Sequence, residues 1–232
     1  MTDPELAEQV AYYRRRAPEY DATSYGDLGA ARRRIARLTE EMRPEGRVLE
    51  IACGTGMWTE TLAAHADEVL AVDAAPEALQ IARRRTEAAN VTFERADIFD
   101  WHPETRFDTI FFSAWLSHVP ERRFDEFWGR LAGWSARVLF VDEPAEEDDK
   151  PAKERDKPAK EKYVGNETVE RRLTDGTSFR IVKNFIDRRK LERDLDRLGW
   201  TCVTRQDDDT GWSWVYGEAR LRTGTPGARP AA

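Results

Sequence analysis

The sequence predicts an α/β protein with a Rossmann-like, doubly wound sheet, and three observations support this prediction. Apolar, strand-like runs alternate with helical segments between residues 48 and 141, which is typical of a parallel sheet. The first run ends at Gly54-Thr55-Gly56, where a tight turn leads into a helix. The second run ends at Asp73, about 20 residues further on, where such folds place a carboxylate that binds ribose.

Two helices are predicted before the sheet. Pro4 to Ala17 has amphipathic periodicity, and a second helix is expected from Leu28 to Met42. The segment PEYDATSYGD between them is rich in turn residues and carries Tyr20 and Tyr25. We therefore expect residues 1–45 to form a helical lid over the sheet.

Residues 46–142 are expected to form the cofactor-binding half of the sheet. Pro76 can begin the second helix of this half, because its ring fixes a helical φ, and Asn90 can end it. The expected strands are 48–53, 69–72, 91–94, 109–112 and 137–141, with helices near 57–66, 77–89 and 121–135.

Residues 143–165 break this pattern and are expected to form a charged, flexible loop. Almost no side chain between Asp142 and Lys162 is apolar and larger than alanine, and the sequence KPAKE occurs twice. Residues 166–220 are expected to follow with a substrate-binding hairpin, a helix and the last strands: a hairpin at 168–185, a helix near 188–198, and strands at 201–205 and 212–219.

The hairpin has a register that places two cations on an apolar face. Asp175-Gly176 marks the turn, and a three-residue loop with a left-handed Gly176 pairs Arg171 with Phe179. Arg171 and Lys183 then share a face with apolar side chains, where a charge needs a partner, solvent or a ligand. We interpret them as an anion-binding pair. The alternative is that they pair with loop carboxylates or reach solvent.

Composition limits the class of protein. A chain of 232 residues with a net charge of −7 is expected to form one domain, 1–232, without a nucleic-acid-binding surface. Only Cys53 and Cys202 are present, so we expect neither disulfides nor a metal site. No signal peptide is recognisable and no apolar run approaches the ~18 residues of a membrane span. We expect a cytoplasmic monomer or homodimer without membrane contact.

The residues after the glycine turn favour S-adenosylmethionine over a dinucleotide. Folds that bind a pyrophosphate favour a third glycine three positions after the second, and this chain has Thr59 there. Trp58 beside it would crowd a diphosphate, whereas S-adenosylmethionine carries no phosphate. A turn without a ligand is the alternative, because a lone glycine motif is weak evidence.

Glu50, Ala52, Gly54 and Gly56 match the first motif of the class I S-adenosylmethionine-dependent methyltransferases, so the chain resembles this family. The resemblance implies a seven-stranded sheet with an antiparallel last strand, S-adenosylmethionine as cofactor and S-adenosylhomocysteine as product. The expected cofactor-binding residues are Tyr12, Arg16, Tyr20, Glu50, Ala52, Cys53, Gly54, Thr55, Gly56, Trp58, Asp73, Ala74, Asp97, Ile98 and Ser113.

Asp97 and Ile98 are included because they follow the third strand, where related methyltransferases hold adenine. A helix N-cap is the alternative for Asp97. The fourth strand ends with Ser113, Trp115 and His118 at the edge where open α/β sheets bind ligands. His118 can act as a general base, or it can fix the backbone.

Longer segments resemble the phosphonate O-methyltransferases of dehydrophos natural-product biosynthesis over nearly the whole chain. They are AYYRRRAPEYDAT, LEIACGTGMWT, DIFDW, FFSAWLSHVP, ERRFDEFW, LTDGTSFRIVK and WSWVYG. The resemblance implies phosphonate contacts from Arg171 and Lys183, with Tyr25 in place of a third anion contact.

We therefore expect an O-methyltransferase for a small anionic metabolite, with a phosphonate as the preferred acceptor. Carboxylate O-methylation and small-molecule N-methylation are the alternatives, and a non-catalytic S-adenosylmethionine-binding protein is the alternative from another class. The expected substrate-binding residues are Tyr25, Trp115, His118, Arg171 and Lys183, with His118 also catalytic.

Overall fold

The computed structural model describes residues 3–145, 162–163, 167–209 and 212–224. Most of the predicted charged loop, including both KPAKE copies, lies outside these residues. The helices are α1 (Pro4–Arg16), α2 (Tyr20–Ser24), α3 (Leu28–Met42), α4 (Thr59–Ala63), α5 (Pro76–Arg85), α6 (Phe124–Trp134) and α7 (Arg188–Arg197).

Alternation of strands and helices produces the predicted sheet. The strands are β1 (Arg47–Ile51), β2 (Glu68–Asp73), β3 (Val91–Arg95), β4 (Thr109–Ser113), β5 (Arg137–Asp142), β6 (Lys162–Tyr163), β7 (Thr168–Arg172), β8 (Ser178–Val182), β9 (Trp200–Asp209) and β10 (Trp212–Leu221). Seven of them form one sheet in the order β3-β2-β1-β4-β5-β10-β9. Strands β1 to β5 are parallel, and β10 runs antiparallel to β5 and to β9. The doubly wound sheet with an antiparallel last strand is therefore confirmed.

Both faces of this sheet are covered at its centre, which explains why β1, β4 and β5 are apolar and buried almost throughout. Val48 and Phe111 pack with Leu38 of α3 on one face. Leu49 and Phe112 pack on the other face, with a set of side chains from α6 and α7 that comprises Phe127, Trp128, Leu131, Leu191 and Leu195. Within the described ranges, no helix has the length and apolarity needed to cross a bilayer.

Two local predictions need correction. The segment between α1 and α3, expected to be a turn, forms a 3-10 turn at Ala17–Glu19 and then α2. Helix α5 ends at Arg85 and not at Asn90. The Asn90 amide instead donates hydrogen bonds of 2.9 and 3.1 Å to the carbonyls of Ala63 and Ala66, where it binds the end of α4.

The hairpin has the predicted register. Arg171 lies opposite Phe179, and Gly176 has a φ of +87°. The backbone N–H of Leu173 donates to the carbonyl of Thr177 at 2.9 Å. Strand β6, which was not predicted, adds a third strand to this separate sheet. The buried face of the hairpin formed by β7 and β8 packs against α1 in a cluster of Tyr12, Val169, Leu173 and Ile181. The hairpin therefore supports the helical lid.

Candidate active site

A cavity of about 910 Å³, including its open mouth, lies at the carboxyl ends of the parallel strands. Strands β1 and β4 are neighbours there, at the point where the strand order reverses, and such points bind ligands in open α/β sheets. Helix α1 forms the opposite wall with Leu6, Gln9, Val10 and Tyr13. Many of the predicted site residues line this cavity: Tyr20, Ala52, Gly54, Thr55, Asp73, Ala74, Asp97, Ile98, Ser113, Trp115 and His118.

The glycine turn brings backbone close to the cavity. Gly54 and Gly56 have φ angles of +56° and +80°. A Cβ on Gly56 would lie 3.0 Å from Cα and Cβ of Ala82, so a side chain there would push against α5. Ala52 also has a positive φ, +53°, a conformation that costs an L-residue about 1–2 kcal/mol.

Asp73 is fixed by backbone donors and faces the cavity. Its Oδ2 accepts from Gly54 N–H at 2.8 Å, and its Oδ1 accepts from Ala75 N–H at 2.7 Å. Burial raises the pKa of Asp73, and these two hydrogen bonds oppose the rise. Each oxygen retains a lone pair, so the carboxylate can also accept from two hydroxyls of a bound sugar.

A smaller cavity adjoins the first and is lined by Tyr20, Tyr25, Glu50, Ala52, Cys53, Gly54, Thr55, Met57, Trp58 and Ser113. Burial raises the pKa of Glu50 to about 8; the Asp73 charge adds to this rise, while the hydrogen bond from Thr59 opposes it. The Thr59 hydroxyl donates to Glu50 Oε2 at 2.7 Å. Thr59, the position where a dinucleotide fold prefers glycine, therefore orients the acidic residue of the motif.

Two indole groups in the cavity walls have N–H donors without a hydrogen-bond acceptor among the described residues. They are the buried Nε1 groups of Trp58 and Trp115. A buried donor without an acceptor costs about 1–3 kcal/mol. Both groups fit a site that is completed by a ligand with oxygen or nitrogen acceptors, which S-adenosylmethionine provides in its carboxylate, ribose and adenine.

Asp97 caps a turn and also lines the main cavity. Its Oδ1 accepts from Phe99 N–H at 3.0 Å, so the carboxylate caps the turn that follows β3. Asp97 and Ile98 also line the main cavity. The cap orients the aspartate without preventing contact with a ligand.

His118 is buried and held at both ring nitrogens. Its Nδ1 lies 2.6 Å from the carbonyl oxygen of Val182, and its Nε2 lies 2.7 Å from the Tyr13 hydroxyl. A carbonyl only accepts, so Nδ1 carries the proton and Nε2 accepts from Tyr13 in the neutral ring. Burial lowers the pKa of His118 well below its usual value, and the charges of Lys183 and Arg171 add to this effect. Tyr13, which lines the cavity, was absent from the predicted binding residues.

Arg171 and Lys183 lie on the predicted hairpin face, and their charges act on His118. Neither residue lines the two cavities described above, and Lys183 lines a separate cavity. Lys183 is buried, and its Nζ lies 3.2 Å from Oε1 of Glu143 and 3.2 Å from Oγ of Ser117. Arg171 is half-buried, and its charge also acts on Tyr12 and Tyr13. Lys183 thus has the carboxylate partner that the sequence left open as an alternative.

Tyr12 and Arg16 are not among the residues that line either cavity. Tyr12 packs in the hairpin cluster instead. The Arg16 guanidinium lies over the rings of Tyr12 and Tyr20 and donates to Ser24 at 2.8 Å. Both residues therefore pack against lid side chains that line the cavity, Tyr12 against Tyr13 and Arg16 against Tyr20.

The lid is connected to Thr55 of the glycine turn by two polar residues that the sequence did not predict, Asp21 and Arg85. Thr55 donates through its hydroxyl to Asp21 Oδ1 at 2.6 Å, and Arg85 donates to the Thr55 carbonyl at 2.6 Å. Arg85 also forms an ion pair with Asp21. These residues are far apart along the chain and show no shared pattern, so only the folded structure brings them together.

Comparison with known proteins agrees with this geometry. The methyltransferase-domain family matches residues 48–136. The malonyl-[acyl-carrier protein] O-methyltransferase of Paenibacillus sp. (strain JDR-2) is 34% identical over 135 residues, which are 51% of this chain and 48% of that protein. The chain spans about half the length of the first curated relatives that it matches.

Solved structures of DhpI, the dehydrophos methyltransferase, extend the similarity to the full length. The complex of DhpI with SAH is 35% identical, with a TM-score of 0.78 over 96% of this chain and 100% of DhpI. The complex of DhpI with SAM and HEP gives the same identity and TM-score over 95% and 99%.

Fold and cavity together define an α/β protein that binds its ligand at the point of strand reversal. With the full-length similarity, the chain belongs to the S-adenosylmethionine-dependent methyltransferases.

Proposed function

We propose that this methyltransferase transfers the methyl group of S-adenosylmethionine to an oxygen of a small phosphonate. One observation carries the proposal: Arg171 and Lys183 project from one face of the hairpin beside His118, which lines the cavity. Two cations next to a methyl-donor site favour an acceptor with several anionic oxygens. The similarity to DhpI, which was crystallised with SAM and HEP, supports the same choice.

We assign the cofactor contacts by matching groups in the walls to groups of the ligand. Asp73 would accept from the ribose hydroxyls, while Asp97 and the backbone N–H of Ile98 would contact adenine. Trp58 and Tyr25, beside Glu50, would contact the methionine part in the smaller cavity. When bound, S-adenosylmethionine supplies a methyl group already activated on its sulfonium.

The chain's own residues then have two tasks, which are to hold the acceptor and to exclude water. Correct orientation of two reactants can contribute about 7–11 kcal/mol, and a phosphonate reaches the site ionised at neutral pH, so no strong base is required. Arg171 and Lys183 would bind the non-reacting oxygens and leave one oxygen free to attack. Tyr13 and Tyr20 of the lid would keep water out.

We assign His118 a role that acts through Tyr13. Its Nε2 accepts from the Tyr13 hydroxyl, which keeps the phenol oriented at the cavity wall. For an acceptor that arrives with a proton, the Tyr13 oxygen would take that proton as its own hydroxyl proton moves to Nε2 of His118, a step that the lowered pKa of His118 makes unfavourable. For a fully ionised phosphonate, the pair would only position the acceptor.

A carboxylate acceptor is the second candidate. The malonyl-[acyl-carrier protein] O-methyltransferase of Paenibacillus, which is 34% identical over 135 residues, supports this possibility.

The test is a panel of acceptors with the same carbon skeleton and different ends: phosphonate, carboxylate and amine. The purified chain is incubated with S-adenosylmethionine, and mass spectrometry looks for the gain of one CH2 unit. We expect the phosphonates to gain this mass with the highest kcat/KM. Methylation of the carboxylates or amines alone would refute the proposal, and cofactor binding without any product would favour a non-catalytic protein.

A further inference from the structure

The ion pair between Lys183 and Glu143 has one member that can leave. The Lys183 side chain is 1% exposed, whereas that of Glu143 is 37% exposed. An accessible carboxylate loses little when it turns toward water, but a buried ammonium without a partner is costly. An anion that enters the site would therefore displace Glu143 from Lys183.

A second carboxylate stays beside Lys183 when Glu143 turns away. Asp142 is buried at the end of β5, where its Oδ2 accepts from Ser117 N–H at 3.0 Å and its Oδ1 from Glu143 N–H at 2.8 Å. Burial raises the pKa of Asp142, and the charge of Lys183 opposes that rise. Asp142 is thus a fixed neighbour of Lys183, while Glu143 is an exchangeable one.

Glu143 is also close to the methyl-transfer region. Burial raises the pKa of Tyr20, and the Glu143 carboxylate adds to the rise against the charge of Arg16. Tyr20 lines both cavities. The main chain of Glu143 is fixed, because its carbonyl accepts from Ile186 N–H at 2.9 Å. Only the side chain is left to move.

We propose that Glu143 selects the acceptor by acting as a tethered competitor for Lys183. The inference rests on the proposed function, since it concerns the acceptor site of that reaction. A carboxylate acceptor offers Lys183 the same group that Glu143 already holds there at high effective concentration. A phosphonate carries up to two negative charges on three oxygens and can meet Arg171 and Lys183 together. Glu143 therefore discriminates against carboxylates more strongly than against phosphonates.

The experiment measures binding of methylphosphonate and acetate by calorimetry, with the chain loaded with S-adenosylhomocysteine. Wild type is compared with Glu143→Gln, which keeps the shape and removes the charge. The matched control is Glu170→Gln, which removes one charge from the exposed outer face of the hairpin. We expect Glu143→Gln to raise the affinity for acetate by about tenfold and for methylphosphonate by about threefold, with no change in the control.

Three results would overturn the inference: unchanged affinities in Glu143→Gln, weaker methylphosphonate binding in that variant, or no binding of either ion by any form. The acceptor panel separates this outcome from failure of the proposed function. If phosphonates are methylated but Glu143→Gln binds both ions like wild type, only the role of Glu143 is wrong. If the affinities shift as expected but no phosphonate is methylated, the anion exchange stands and the phosphonate assignment falls.

Discussion

The cofactor side that we propose around Asp73 and the acceptor side that we propose around Lys183 are built differently. Asp73 is held by the backbone N–H groups of Gly54 and Ala75. Lys183 contacts the side chains of Ser117 and Glu143, which come from the segments after β4 and β5. The cofactor side is thus made by the backbone at the strand ends, and the acceptor side by side chains from distant elements.

This difference determines how each side can change. A backbone cradle depends on strand order and on turn conformation, so it persists while many side chains vary. The acceptor side depends on a few charges, so one substitution can alter which anion binds. Variants on each side should accordingly affect one ligand and leave the other unchanged.

Asp73→Asn should give the largest effect. An amide cannot accept from both backbone donors and also from the ribose hydroxyls, so two charge-assisted hydrogen bonds are weakened. We expect the Kd for S-adenosylhomocysteine, measured by calorimetry, to rise about 100-fold. If an acceptor-side variant such as Arg171→Ala lost cofactor affinity to the same extent, the two sides would not bind their ligands independently.

Arg171→Ala should show the opposite pattern. It removes one cation from the acceptor side, and charge-assisted hydrogen bonds are worth about 1.5–3 kcal/mol. We expect kcat/KM for the acceptor to fall about 30-fold, mainly through KM, with the cofactor Kd within about twofold of wild type. Arg180→Ala is the control, because Arg180 is exposed on the outer face and pairs with Glu8. If the control loses as much activity as Arg171→Ala, the hairpin face has been assigned wrongly.

Glu50 gives a pH prediction for the cofactor side without ligand. Its pKa is raised from 4.5 to about 8, so between these values the folded state binds a proton that the unfolded state lacks. Stability is then lost as pH rises through this window, at up to about 1.4 kcal/mol per pH unit. Urea unfolding at about pH 6 and about pH 8 should show a loss of about 2 kcal/mol. Glu50→Gln should remove most of that loss, and an equal loss in the variant would mean that another group causes it.

Tyr13→Phe should give the smallest effect. The change leaves Nε2 of His118 without its donor, at a cost of about 1 kcal/mol in positioning. We expect kcat to fall about fivefold while the cofactor Kd stays the same. Tyr216→Phe provides the control, since that hydroxyl donates to Glu41 and lines neither cavity. Unchanged kcat in Tyr13→Phe would show that the pair with His118 does not act in methyl transfer.

The fold around the proposed cofactor side was predictable from the sequence because its signals are local. Gly54, Gly56 and Asp73 follow apolar runs whose length and order define the parallel sheet, and the structure confirms that fold. The hairpin register was also predictable, since Gly176 and the alternation of side chains fix which residues pair.

The acceptor side was predicted only in part. Arg171 and Lys183 were identified from their face, but the partner of Lys183 could not be identified because Glu143 lies 40 residues earlier in the chain. The bond between Tyr13 and His118, 105 residues apart, depends on how α1 docks against the hairpin. Asp21 and Arg85 were missed for the same reason, because tertiary packing alone brings them to Thr55.

The central claim is that the backbone cradle delivers a methyl group to an oxygen bound by the hairpin cations. NMR of the product formed with methyl-labelled S-adenosylmethionine and a phosphonate tests it most directly. The account predicts a labelled methyl resonance that is split by coupling to phosphorus, which identifies a P–O–CH3 group, and a much weaker signal with Arg171→Ala. A labelled methyl on carbon, nitrogen or a carboxylate oxygen, without coupling to phosphorus, would contradict it.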